Sequence, residues 1–195
     1  MTTAVRSGIV VSAEDGKARC EWVEDSQGQL LLYHDVEWGT PSHDPKVVFE
    51  TLTLGVFQAG LGWLTVFRKR DAFRDAFLGF DPARVAKMTS RDVNRLLKND
   101  LIIRNRAKIE ATVNNAVVAT SSDQPLADIA WQFVPSKPPA HPRRWSEVRV
   151  ESPESKALSA ELKSLGYKFV GPTSVYSFMQ SIGIVNDHVR GCYRA

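Results

Sequence analysis

Cysteine is scarce in this chain of 195 residues, which contains only Cys20 and Cys192. Two cysteines cannot form a disulfide framework, so metal binding or simple burial is left as their use. Long hydrophobic runs are also missing, and the sequence therefore offers no candidate membrane span. The first residues carry a short apolar patch but lack the long apolar stretch of a signal peptide. We expect a cytoplasmic protein that has no membrane partner.

A strong charge of either sign is missing as well, since the formal net charge is +3. This mild basicity permits a nucleic-acid partner but does not require one. Hydrophobic residues make up 43% and charged residues 24% of the chain. These values are typical of an ordinary globular protein with one substantial core.

Signals for the start of a helix recur along the chain. A capping residue followed by proline occurs at Asp44-Pro45 and again at Ser152-Pro153, and this pair is typical of a helix N-terminus. Apolar residues recur at helical spacing, whereas no stretch alternates like a strand over more than a few residues. We predict an all-α fold with one domain over residues 20–195 and an N-terminal extension over residues 1–19.

Each cysteine has a histidine in its neighbourhood, His34 after Cys20 and His188 before Cys192. Zinc prefers thiolate and imidazole ligands in tetrahedral sets of four. If the C-terminal pair lay on a helix, its spacing would place both side chains on one face. The first pair is spaced more widely than in a zinc finger, so two buried cysteines with unrelated histidines is an equally open interpretation. A four-ligand site would be structural, because it leaves no position for a reactive water.

Aromatic residues are dense around polar ones in the stretches "RCEW", "YHDVEWG" and "FQAGLGW". Core packing can explain each of these aromatic residues taken singly. Several of them together, beside Gln and Ser, suit a flat ligand that is held by stacking.

These stretches, followed by "IIRNRAKI" and "FVGPTSVYSFMQSIGIVNDHV", resemble the type I 3-methyladenine DNA glycosylases from Cys20 to Cys192. The resemblance implies a helical domain of the helix-hairpin-helix glycosylase superfamily, with a zinc site that joins its N- and C-terminal segments. The implied ligands of the structural zinc are Cys20, His34, His188 and Cys192. The implied lining of a base pocket is Trp22, Tyr33, Trp38, Gln58, Trp63 and Ser177.

The same resemblance implies a hairpin at "LLKNDLIIRNRAKIEA" that holds the DNA backbone. A helix N-terminus and its backbone N–H groups favour phosphate, and Arg104, Arg106 and Lys108 add positive charge there. We predict these three as DNA-binding residues, with a solvated helix face as the alternative. Such contacts position a protein on DNA without reading its sequence.

The implied activity is that of a monofunctional hydrolase of DNA repair. It would flip an alkylated purine such as 3-methyladenine out of double-stranded DNA and hydrolyse its N-glycosidic bond. Stacked aromatic rings would favour the cationic alkylated base over neutral adenine. We expect a monomer with zinc as its cofactor, and we assign no catalytic residue.

One position departs from the family's pattern. A glutamate that accepts hydrogen bonds from the base usually stands three residues before the Gln of "QAG", and here Gly55 holds that position. The Gln that directly precedes the Gln of "QAG" in the family is also replaced, here by Phe57. Two alternatives therefore stay open: a catalytically weak or inactive protein that binds damaged DNA, and an enzyme for another modified base in an enlarged pocket. Glu21 is a hypothetical replacement for the carboxylate, although a solvated acid is the simpler interpretation.

Overall fold

The computed structural model describes residues 8–26 and 29–195. Helices dominate this part of the chain. In chain order they are α1 Pro45–Gln58, α2 Trp63–Phe67, α3 Arg70–Ala76, α4 Pro82–Val85, α5 Ser90–Leu96, α6 Arg106–Ser121, α7 Leu126–Trp131, α8 Pro153–Ser164 and α9 Pro172–Ser181. Shorter 3-10 turns span Glu21–Ser26, Leu78–Phe80 and Trp145–Glu147, and a single π-helical turn spans Tyr33–Glu37.

The helix starts that the sequence predicts are confirmed. The Asp44 carboxylate accepts hydrogen bonds from the backbone N–H groups of Lys46 and Val47, at 2.8 and 3.0 Å. The Ser152 hydroxyl oxygen accepts from the backbone N–H of Ser155 at 3.1 Å. Each side chain pairs backbone donors that have no partner inside the first turn of a helix.

Helix α1 lies between two hydrophobic clusters. One cluster joins its Val48 and Leu52 to α7, α8 and α9. The other joins its Phe49 and Phe57 to α2, α3, α4, α5 and α6. Because apolar residues cover both sides of α1, it is buried through most of its length and fixes the rest of the fold around it. None of the helices in the described ranges is long and apolar enough to cross a membrane.

The N-terminal segment differs from the expected extension. Its strands β1 Ile9–Val11 and β2 Ala18–Cys20 form an antiparallel hairpin, with Ile9 opposite Cys20. The hairpin is tied to the body, because the backbone N–H of Tyr193 donates to the carbonyl of Ala18 at 2.8 Å. Strands of three residues are too short for alternation to reveal them in the sequence.

Candidate functional site

A cavity of about 320 Å³ opens between the N-terminal turns, α2 and α9. It brings together all six residues that the sequence predicts for a base pocket, whose role as ligand contacts stays a prediction. The lining consists of Trp22, Leu30, Tyr33, Trp38, Gln58, Trp63, Leu64, Trp145, Ser177, Gln180 and Ser181. Cavities of this size that are mostly apolar with a few polar groups are typical ligand sites.

The aromatic rings of the cavity meet at steep angles. The Trp22 and Trp38 ring centroids lie 5.4 Å apart with perpendicular planes. Tyr33 and Trp63 have a centroid separation of 5.4 Å and an interplanar angle of 41°. Packing of rings at inclined angles holds them in place. The indole N–H of Trp22 is buried and has no hydrogen-bond partner within the described part of the chain, so it is a donor that a ligand could use.

Trp145 also lines the cavity, and the sequence analysis did not predict it. Its ring centroid lies 5.9 Å from that of Trp22 and 6.1 Å from that of Trp38. The side chain is 40% exposed. It comes from the segment "PSKPPAHPRRW", whose prolines predict only a loop, so no periodic signal places the ring. A large aromatic residue at the end of a proline-rich loop is the signal that could have found it.

Helix α9 contributes polar groups to one wall of the cavity. The Ser181 hydroxyl donates its single hydrogen to the Ser177 carbonyl at 2.9 Å. Since Ser181 Oγ also lies 3.0 Å from the Tyr33 hydroxyl, Tyr33 must be the donor in that contact. Burial raises the pKa of Tyr33, so the hydroxyl keeps this proton. A lone pair of the Tyr33 hydroxyl oxygen is therefore available to accept a hydrogen bond.

Gln180 presents a second acceptor in the same wall. Its amide Nε2 donates to the buried Asp187 carboxylate at 2.8 Å, and the Tyr176 hydroxyl donates to the same oxygen at 2.7 Å. An ionised carboxylate accepts only, so the amide nitrogen must face Asp187. The amide oxygen of Gln180 consequently faces away from Asp187, on the side chain that lines the cavity.

No aspartate or glutamate is among the described residues that line the cavity. Gly55 offers no side chain, and the suggested substitute Glu21 is not in the lining. Glu50 is held in ion pairs with Arg70 and with Arg74, the latter at 3.0 Å. Phe57 is fully buried and packs on Phe73 at 4.4 Å between ring centroids. The idea that Phe57 shapes the pocket is therefore wrong, because this side chain fills the core on the other side of α1.

Three of the predicted metal ligands form a buried cluster. The ligand atoms of Cys20, His34 and Cys192 all lie within 4.8 Å of one another. The predicted fourth ligand, His188, is beside this cluster, with its ring centroid 4.8 Å from that of His34. Its Nε2 is buried and has no hydrogen-bond partner among the described residues. A buried, unpaired imidazole nitrogen beside two thiols fits a metal site, because burying it otherwise costs free energy.

Neighbouring groups orient both imidazoles of this cluster. His34 Nδ1 lies 2.8 Å from the Asp35 carboxylate, and His188 Nδ1 lies 2.7 Å from the Asn186 side-chain oxygen. In both rings this leaves Nε2 for a metal, the arrangement that metal-binding histidines usually show. Burial opposes ionisation of Asp35, but hydrogen bonds from Arg19 and His34 lower its pKa to about 2.

The protonation states of the cluster also suit a cation. A hydrogen bond from the Cys20 thiol lowers the pKa of Cys192 to about 4, while the same contact and burial raise the pKa of Cys20. Burial lowers the pKa of His188 to about 4. A thiolate and a neutral imidazole are thus present at neutral pH, and both are the forms that bind metal.

His188 and Cys192 do not share a helical face as the spacing suggests. Residues 186–195 are not helical, and a turn connects His188 to Cys192. The backbone N–H of Cys192 donates to the carbonyl of Val189 at 2.8 Å. Gly191 has φ +96° in this turn, a conformation that glycine adopts more readily than other residues.

The predicted DNA-binding residues lie around the segment 97–105, between α5 and α6. Arg104 is exposed, and Arg106 is exposed with a hydrogen bond to Asn94 at 2.8 Å. Lys108 was predicted wrongly: it is buried, and its ammonium donates to the carbonyls of Phe57 and Ala59 at 2.8 and 2.6 Å. It pairs the free carbonyls at the C-terminus of α1, so it cannot reach a phosphate.

Other basic residues lie in or next to the segment 97–105. A shallow depression beside the segment is lined by Ser90, Arg91, Asn94, Arg95 and Lys98. Arg91 and Lys98 are exposed there. Arg91 lies on α5 and Lys98 just after it, and these positions next to the predicted hairpin were the signal that the sequence prediction missed.

A helical body with a cavity of converging aromatic rings is suited to a flat ring ligand. The sequence profile described as methyladenine glycosylase matches residues 22–195. The chain belongs to this family.

Individual relatives agree with this assignment. DNA-3-methyladenine glycosylase 1 of Escherichia coli (strain K12) is 46% identical over 179 residues, which cover 89% of this chain and 95% of that protein. A crystal structure of 3-methyladenine DNA glycosylase I is 43% identical and matches with a TM-score of 0.84, covering 90% of this chain and 98% of that one. A variant of such an enzyme in complex with 3-methyladenine matches with a TM-score of 0.80 at 35% identity, covering 85% of this chain and 91% of that one.

Proposed function

We propose that this chain is a monofunctional DNA glycosylase that hydrolyses the N-glycosidic bond of a 3-alkylated adenine in double-stranded DNA. The observation that carries this proposal is the convergence of four tryptophans and Tyr33 on one cavity. The names of similar proteins, which act on 3-methyladenine, give it further support. A base inside a duplex cannot reach such a cavity, so the nucleotide has to be flipped out first.

The chemistry follows from the charge of the damaged base. Alkylation at N3 makes adenine cationic, and it then leaves the sugar as a neutral molecule without being protonated. Aromatic faces attract the cationic ring by about 0.5–2 kcal/mol per contact. The acceptor oxygens of Tyr33 and Gln180 favour a ring that carries positive charge and N–H donors. Neutral adenine gains less from the aromatic faces and from the acceptor oxygens, so the cavity favours the alkylated base. Water then attacks the sugar.

We propose a structural zinc ion held by Cys20, His34, His188 and Cys192. The cluster of three ligand atoms and the unpaired Nε2 of His188 support it. Four protein ligands leave no open position, so the ion would tie the ends of the domain together and take no part in catalysis.

For DNA we propose that α5, α6 and the segment 97–105 act as a helix-hairpin-helix element on the phosphate backbone. Helix α6 is 16 residues long and directs its N-terminus at this segment. Its dipole and the exposed Arg104 favour a phosphate there. Arg91 and Lys98 replace Lys108 in our assignment of the charged contacts.

A second candidate function is binding of damaged DNA without efficient cleavage. The lack of any carboxylate in the described cavity lining favours it. Losing a buried charge that pairs with a cationic base costs about 2–5 kcal/mol. The acceptors on α9 are neutral and offset only part of that loss.

One assay separates the two functions. DNA treated with a methylating agent is incubated with the protein, and the released bases are identified by chromatography. Release of 3-methyladenine supports the glycosylase. Salt-dependent binding to the same DNA with no released base supports the binding protein. Trp22→Phe should reduce release, and Trp131→Phe, the same change outside the cavity, serves as its matched control.

Restoring a carboxylate tests the role of Gly55. A β-carbon built at this position meets no heavy atom within 4 Å, so a side chain can start there without a clash. We expect Gly55→Glu to increase the release of 3-methyladenine. Val117→Glu adds the same charge to an exposed site on α6 and should change nothing. An unchanged rate for Gly55→Glu would refute our account of this position.

A further inference from the structure

A second cavity adjoins the first, and it is at least as large. Its volume is about 370 Å³, compared with about 320 Å³ for the aromatic cavity. The two share Tyr33, Trp63 and Ser181 in their linings, so these side chains form the wall between them. The proposed function uses only the first cavity.

Gly55 stands on α1 between the two cavities. Thr51 lines the second cavity and Gln58 the first. Gly55 follows Thr51 by four residues and precedes Gln58 by three, and such spacings place all three on one face of the helix. Between Thr51 and Gln58, this face of α1 therefore carries no side chain at position 55.

Neither backbone strain nor crowding explains a glycine at this position. Gly55 lies inside α1 with no positive φ, and a β-carbon there would meet nothing within 4 Å. Glycine in the middle of a helix weakens it relative to alanine. Glycine at this position leaves open space beside the wall that separates the two cavities.

The second cavity suits a neutral group. Its apolar lining includes Val36, Val47 and Leu54, and hydroxyls come from Thr51 and Ser42. Its charged residues, Arg70 and Glu37, pair with each other through two hydrogen bonds of 2.9 and 2.6 Å. Because these charges satisfy each other, an ionic substituent gains little there.

We propose that the base pocket continues past Gly55 into the second cavity, and that the chain accepts adenines whose N3 substituent is neutral and larger than methyl. The purine ring stacks in the first cavity and the substituent occupies the second. This inference rests on the proposed function, since it requires an alkylated purine in the aromatic cavity.

Binding of free bases tests the proposal without requiring turnover. Quenching of the intrinsic tryptophan fluorescence reports the dissociation constants of 3-methyladenine and 3-benzyladenine. We expect the wild-type protein to bind 3-benzyladenine at least as tightly as 3-methyladenine. Gly55→Leu fills the open space at the junction, and exclusion of the benzyl group should shift the ratio of the two constants about ten-fold toward 3-methyladenine.

Two further variants keep the test decisive. Thr51→Leu fills the second cavity from another position and should shift the ratio in the same direction, even if Gly55→Leu does not fold. Lys46→Leu places the same side chain on an exposed part of α1 and should leave the ratio unchanged.

The outcomes separate this inference from the proposed function. Binding of 3-methyladenine with a strong preference against 3-benzyladenine, or a ratio that neither cavity-filling variant changes, would overturn the inference and leave the proposed function intact. Failure to bind either base, together with no base released from methylated DNA, would overturn both.

Discussion

Replacing Cys192 with serine tests the proposed metal site. Cys192 contributes the C-terminal thiolate to a cluster whose other members, Cys20 and His34, come from the N-terminal part of the chain. Serine retains the size of the side chain but is a poor zinc ligand. The variant leaves only three of the four proposed ligands, so it should release the ion and with it the link between the two ends. The Cys192 side chain and the unpaired His188 nitrogen are both buried. Loss of the ion should therefore affect the interior of the protein directly.

The expected magnitude follows from the length of the loop that the metal closes. A link between residues 20 and 192 closes a loop of about 170 residues, which corresponds to about 5 kcal/mol of unfolded-state entropy in the chain-entropy relation. Cross-links often give less than this limit, so we expect the variant to lose about 2–5 kcal/mol of unfolding free energy. For a chain of this length each kcal/mol shifts the melting temperature by about 2–4 °C.

Urea unfolding with and without a chelator measures the effect. For the wild-type protein a chelator should lower the free energy of unfolding by about the same amount as Cys192→Ser. In the variant the chelator should have no further effect, because the ion is already lost. Elemental analysis should find one zinc per chain in the wild-type protein. Metal-free protein of unchanged stability, or a variant that still responds to the chelator, would refute this reasoning.

Four other substitutions test the remaining assignments. Lys108→Met should lower the unfolding free energy by about 1–3 kcal/mol, because it leaves the carbonyls of Phe57 and Ala59 without a donor, and it should not change the salt dependence of DNA binding. Arg104→Ala should instead weaken DNA binding and reduce its salt slope, and it should leave urea unfolding unchanged. Arg70→Met removes the partner that Glu37 and Glu50 share and should cost about 3 kcal/mol in the same unfolding assay; a loss like that of a surface pair, below about 1 kcal/mol, would contradict it. Ser181→Ala frees the hydroxyl hydrogen of Tyr33 to point into the cavity and should weaken 3-methyladenine binding by about 1 kcal/mol, whereas tighter binding would show that Tyr33 is not an acceptor.

The helix starts could be predicted because their causes are local. Asp44 and Ser152 act on backbone groups within three residues, so the sequence alone carries the signal. The convergence of Trp22, Tyr33, Trp38 and Trp63 depends on contacts between distant segments. Composition could suggest a stacking ligand, but only the resemblance to a family indicated that these rings share one cavity.

The failures of prediction also have physical causes. A lysine on a helix gives no sign of its direction, and Lys108 turns inward because the C-terminus of α1 needs donors. A spacing of four residues is compatible with a turn as well as a helix. The positive φ of Gly191 favours the turn between His188 and Cys192. Trp145 lies in a proline-rich loop without periodicity, so nothing local places its ring over the cavity.

The cluster of Cys20, His34 and Cys192 and the aromatic cavity depend on the same short segments of backbone. Tyr33 lines the cavity, and the next residue, His34, belongs to the cluster. Their π-helical turn is closed by the backbone N–H of Trp38, which donates to the Tyr33 carbonyl at 2.8 Å. The Trp38 ring in turn lies 4.5 Å from that of His188, and the Trp22 ring lies 5.2 Å from that of His34. Displacing a ligand of the cluster therefore moves a wall of the cavity, so a structural ion that never touches the base would still set the geometry in which the base is held.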